Sequence, residues 1–69
     1  MTCDLTLRDV RSVARIVNLA ARFNCRCVHV SANADTLVSA RFAFSGNEIA
    51  LARLRAQIDR IVAYETVVQ

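Results

Sequence analysis

Cys3, Leu5 and Leu7 alternate with Asp4, Thr6 and Arg8. A period of two marks a strand with one buried face. From about Asp9 to Phe23 the period lengthens: Val13, Ile16, Val17, Ala20 and Phe23 recur at helical spacing, with Arg11, Arg15, Asn18 and Arg22 opposite. Asp9 suits the start of this helix as N-cap or first-turn acid. Cys25 to Ala32 is apolar and β-branched enough for a second strand, and Asn33-Ala34-Asp35 supplies turn chemistry. Thr36 to Phe44 alternates again, placing Val38, Ala40, Phe42 and Phe44 on one side. Ser45-Gly46-Asn47-Glu48 reads as a capping box, with Phe44 and Ile49 as its hydrophobic staple. Leu51, Leu54, Ile58 and Ile61 stripe the helix that follows, and the β-rich run Val62 to Val68 predicts a last strand.

The predicted order is β-α-β-β-α-β. A short link between the second and third strands makes an antiparallel hairpin, and each helix returns the chain through a right-handed crossover. The solution that buries both helix stripes is an α+β, ferredoxin-like sandwich: a four-stranded antiparallel sheet in the order 4-1-3-2, with two helices on one face. Residues 1–69 form one domain. Its expected core is Leu5, Leu7, Val13, Val17, Ala20, Val38, Phe42, Leu51, Leu54 and Ile58.

Size and composition sharpen this picture. A chain of 69 residues buries only about 60% of its surface on folding. Yet 55% of its residues are apolar and mean hydropathy is +0.33, so part of that apolar surface is expected to face a partner. The apolar runs are too short to span a membrane, and the opening Met1-Thr2-Cys3-Asp4 lacks the basic start and apolar block of a secretory leader. The expectation is a cytoplasmic protein in which Cys3, Cys25 and Cys27 are free thiols. All nine basic residues are arginine and net charge is +3.

Candidate chemistry is sparse. There is one histidine, His29, and the carboxylates are scattered, so no catalytic set and no cofactor are implied. Cys25, Cys27 and His29 fall at i, i+2 and i+4. On a regular strand they share a face, but same-face strand residues splay and the chain supplies no fourth ligand, so no metal site is expected. Ala40-Arg41-Phe42-Ala43-Phe44 is superficially similar to the aromatic stretch of RNA-recognition motifs. Parity argues against that use, because exposing Phe42 and Phe44 would turn Ser39, Arg41, Ala43 and Ser45 into the core. The first strand also offers no aromatic for stacking, so nucleic-acid binding is disfavoured. The arginine stripe of the first helix is either a solvated face or a contact for anions or an acidic partner.

Val13-Ala14-Arg15-Ile16, then Leu19 and Ala20, then Phe23-Asn24, resembles the first helix and second-strand entry of ACT domains. Ser45-Gly46-Asn47-Glu48, Leu51, Leu54, Gln57-Ile58, Ile61-Val62 and Val67-Val68 resemble the end of acetohydroxyacid (acetolactate) synthase small subunits. The resemblance implies a non-catalytic regulatory or activating subunit in branched-chain amino-acid biosynthesis. It further implies a homodimer joined through the second strand and first helix, a larger catalytic subunit as partner, and an amino-acid effector. A free-standing amino-acid sensor and a plain dimerisation module are the alternatives. The implied ligand-binding residues are Asp9, Val10, Arg11, Ser12 and Asn24. Arg11 stands where the family has its loop glycine and Val10 where it has proline. A side chain there competes for the ligand's space, so weak or absent effector binding is expected.

Overall fold

The computed structural model describes residues 1–66, with side-chain surroundings through Ala63. Its elements are β1 (Thr2–Leu7), α1 (Arg11–Arg22), β2 (Arg26–Ala34), β3 (Val38–Ser45) and α2 (Glu48–Thr66). The described residues form a three-stranded antiparallel sheet in the order β1-β3-β2. β3 lies between the two strands that α1 connects. Thr2 stands opposite Ala43 and Leu7 opposite Val38 on one side of it, while Arg26 stands opposite Ser45 and Ala34 opposite Val38 on the other.

Strand alternation decides which face is covered. Cys3 and Leu7 of β1 and Val38, Ala40, Phe42 and Phe44 of β3 are buried, while Thr2, Asp4, Thr6, Ser39 and Arg41 are exposed. The Phe42 and Phe44 rings stack with centroids 5.7 Å apart, a separation at which offset aromatic pairs attract. Ile16 and Ala20 of α1 and Leu54 and Ile58 of α2 complete the buried cluster, with Leu5, Val13, Val17 and Leu51 partly buried against it.

Several sequence expectations need correction. Val62 to Val68 is not a strand as far as it is described: residues 62–66 continue α2, and residues 67–69 lie outside the described part. Ile61 and Val62 extend the stripe begun by Leu54 and Ile58 and pack against the core. Continuing the helix buries both, which outweighs the few tenths of a kcal/mol by which a β-branched residue disfavours it. The sheet therefore has no fourth strand among the described residues, and β1 is paired on one side only.

The cap of α2 is also displaced. Asn47, not Ser45, takes the N-cap role: its Oδ1 accepts the Ala50 N–H at 2.8 Å, and its backbone carbonyl accepts the Leu51 N–H at 2.9 Å. Ile49 then projects outward, 70% exposed, so no staple to Phe44 forms. The hairpin turn falls at Asp35–Leu37, two residues later than expected, because Asn33 and Ala34 still pair with Ser39 and Val38.

Candidate functional site

The loop from β1 into α1 carries four of the five ligand-binding candidates. Asp9 closes this loop on itself. Its Oδ1 accepts the Arg11 backbone N–H at 2.9 Å, and its carboxylate takes the Arg11 guanidinium on both oxygens, Nε donating to Oδ1 at 3.2 Å and Nη2 to Oδ2 at 2.8 Å. This two-pronged geometry is the one arginine forms best with a carboxylate. The guanidinium and backbone bonds together hold the Asp9 carboxyl below its ordinary range. The Asp9 and Val10 carbonyls accept the Ser12 and Val13 N–H groups at 3.0 and 3.1 Å. The first donors of α1 are thus engaged within the loop itself. Val10 is exposed and Ser12 is buried.

Asn24 is elsewhere. It follows the last turn of α1, so it stands roughly 20 Å from Arg11 along the helix at 1.5 Å per residue. One chain does not bring the five candidates together. Asn24 has φ +59°, in the left-handed region, and there it terminates the helix. Its N–H donates to the Ala21 carbonyl at 3.2 Å, and the Cys25 N–H donates to Ala20 at 2.9 Å. This is a Schellman ending, in which asparagine replaces the usual glycine and buried Cys25 meets buried Ala20. The Phe23-Asn24 pair therefore has a complete structural explanation.

Cys25, Cys27 and His29 do not share a face. Cys27 pairs with Phe44 and His29 with Ala43, leaving Val28 as an extra residue in β2. Opposed residues point the same way, so Cys27 follows Phe44 toward the core while His29 follows Ala43 to the face without helices. This bulge reverses the strand's parity, and nothing in the sequence marks it. Among the described residues no three His, Cys, Asp or Glu side chains gather as metal ligands. Phe42 and Phe44, buried beneath the helices, present no ring for stacking on a base.

Two further surfaces lie outside the predicted site residues, and a third takes in Asn24. On the face without helices, Arg41 binds Asp4 across the strands at 2.6 Å, beside a shallow depression lined by Thr6, Ser31, Asn33 and Ser39. Among the described residues β2 pairs only with β3, and its outer side carries exposed Val28 and Val30. Where α1 ends and α2 begins, Arg22, Phe23, Ile49 and Arg53 line a groove of about 680 Å³. The sequence places Ile49 in the staple and Arg22 in a stripe that is either solvated or a contact for anions or an acidic partner. The signal that links them is that one arginine sits in the last turn of α1 and the other one turn into α2.

No described helix is long and apolar enough to cross a membrane. Set against known proteins, the chain matches no protein family, no curated protein and no solved structure. What it does rests on its own surfaces: a loop closed by an ion pair, a β2 edge unpaired among the described residues and a groove between two helix ends.

Proposed function

We propose that this chain is a ferredoxin-like regulatory or activating subunit of ACT type, working as a homodimer beside a larger catalytic subunit. Acetohydroxyacid synthase of branched-chain amino-acid biosynthesis is the enzyme that the sequence resemblance favours. The split β-α-β arrangement, with β3 between β1 and β2, supports the ferredoxin-like reading. The observation that carries the proposal is the unpaired β2 edge, with Val28 57% and Val30 42% exposed. An open edge beside apolar side chains invites a second strand.

The loop supports activation or assembly over effector sensing. An amino acid has few atoms and needs nearly all its hydrogen bonds to reach useful affinity, whereas the Asp9 carboxylate and the Asp9 and Val10 carbonyls already occupy the local donors. The same observation favours, as second reading, a dimerisation module without ligand.

Co-expression with a synthase catalytic subunit tests the partner, and sedimentation tests the dimer. Co-purification in fixed stoichiometry, with a species above 7.7 kDa for the isolated chain, is the expected result. A monomer at tens of micromolar that leaves the synthase unbound and unactivated would reject the proposal. Calorimetry with valine, leucine and isoleucine should show no binding tighter than about 100 μM, near −5.5 kcal/mol.

A further inference from the structure

We infer that the groove between the end of α1 and the start of α2 docks an acidic peptide segment of a partner protein, one that brings a large apolar side chain flanked by carboxylates. The inference rests on the reading that the chain acts through a larger protein, and it names the surface and the partner's chemistry.

The groove's lining is mixed: apolar Phe23 and Ile49 stand with Arg22 and Arg53, and Asn24, Asn47 and Glu48 complete its polar part. Ile49 is 70% exposed, the most exposed large apolar side chain among the described residues, and half-buried Phe23 shares the lining. Helix geometry fixes the position of Ile49. It stands about 140° around the axis from Leu54 and about 180° from Ile58, at 100° per residue. Those two residues face the core, so Ile49 cannot fold inward while they are buried. Arg22 and Arg53 share that lining, and neither joins the ion pairs formed among the described residues. Glu48 is the one carboxylate on the lining. Elsewhere Arg11, Arg41 and Arg55 are each matched to an aspartate.

The volume of about 680 Å³ is in the range that holds a few side chains. Two guanidinium groups outside the ion pairs of the described residues favour a partner with carboxylates, which arginine grips in two-pronged fashion. An apolar residue between those carboxylates would cover Ile49 and Phe23.

Panning a random dodecapeptide library on the isolated chain tests the inference without any synthase present. The expected result is enrichment of peptides with Leu, Ile or Phe beside Asp or Glu. Binding should fall at least tenfold in Arg22→Glu/Arg53→Glu, weaken with added salt, and stay unchanged in the control Arg15→Glu/Arg60→Glu. Ile49→Ala, an exposed and conservative change, should weaken it several-fold. Amide resonances that shift on titration should be those of residues 22–24 and 47–53. No enrichment, enrichment of neutral or basic peptides, undiminished binding to the arginine variant, or shifts confined to β2 would each overturn it. So would a single-stranded oligonucleotide that binds the same residues more tightly than any selected peptide. Failure of the synthase to co-purify while these peptides bind would reject the proposed enzyme and leave the groove standing.

Discussion

Leu54→Ala measures how much of this small domain depends on the inward face of α2. Leu54 has no exposed surface, so truncation removes its full transfer energy and leaves a cavity. Comparable leucines cost about 2.7–5.0 kcal/mol when cut to alanine. A chain of 69 residues has a total stability of roughly 3–10 kcal/mol, at about 0.05–0.15 kcal/mol per residue. The substitution therefore removes about a quarter of the stability at least, and in the worst case all of it. Urea unfolding followed by far-ultraviolet circular dichroism reads the loss. With a slope near 1 kcal/mol per molar urea, the midpoint should fall by about 3–5 M. If the variant is already unfolded, Ile58→Val gives a smaller step of roughly 0.5–1.5 kcal/mol at the neighbouring buried position. Ile49→Ala is the internal control. At 70% exposure isoleucine keeps most of its surface in water, so about a third of roughly 2 kcal/mol is at stake. Alanine's better helix propensity returns roughly 0.4 kcal/mol of that, leaving a change near zero. A loss below about 0.5 kcal/mol for Leu54→Ala, or a larger loss at Ile49 than at Leu54, would mean that α2 presents a different face to the sheet.

Other outcomes follow from the helix ends, the charges and the thiols. Asn24→Gly should leave the melting temperature unchanged or raise it. Asn24→Ala should lower stability by about 1 kcal/mol, since left-handed backbone costs an L side chain roughly 1–2 kcal/mol; equal effects of the two would deny the capping role. Asp9 has a folded pKa below its ordinary value, so its contribution is fully present above the unfolded carboxyl range and disappears as pH falls through the folded value. Wild type and Asp9→Asn should differ slightly at pH 7 in low salt and converge near pH 2. A gap that persists in acid would show that the effect is not the ion pair. Zinc should not survive mild chelation at stoichiometric level, and chelator should leave the melting temperature unaltered. Retained zinc would place Cys25, Cys27 and His29 together despite the bulge.

The parts of the fold legible in the sequence are those set by simple periodicity. Alternation placed Val38, Ala40, Phe42 and Phe44 inside, and the helical spacing placed Ile16, Ala20, Leu54 and Ile58 there too. What misled was competition between local signals. Ser45 and Asn47 are both good caps, and their order of preference depends on where the first turn can reach the sheet. Val62 to Val68 favours a strand by composition, yet Ile61 and Val62 sit where one more turn of α2 buries them. The candidate site was legible at Asp9 to Ser12 as a helix start. It was not legible at Asn24, where the same residue type serves a ligand or a left-handed helix ending equally well. The bulge at Val28 leaves no trace in hydropathy, because the sequence displays which residues are apolar but not where a strand loses count.

The central position of β3 also has a consequence in time. On the ribosome β1 emerges first, but its partner is β3, with Thr2 opposite Ala43. At about 5–20 residues per second, synthesis of the intervening stretch takes roughly 2–8 seconds. Over that interval β1 is an alternating strand with nothing to pair with. β2 and β3, joined by a three-residue turn, can close as a hairpin within microseconds of their release. That hairpin offers its free β3 edge to whichever strand arrives first. During crowded synthesis the competitor is the β1 of a neighbouring nascent chain, so strand exchange between copies is the misassembly this topology must outrun.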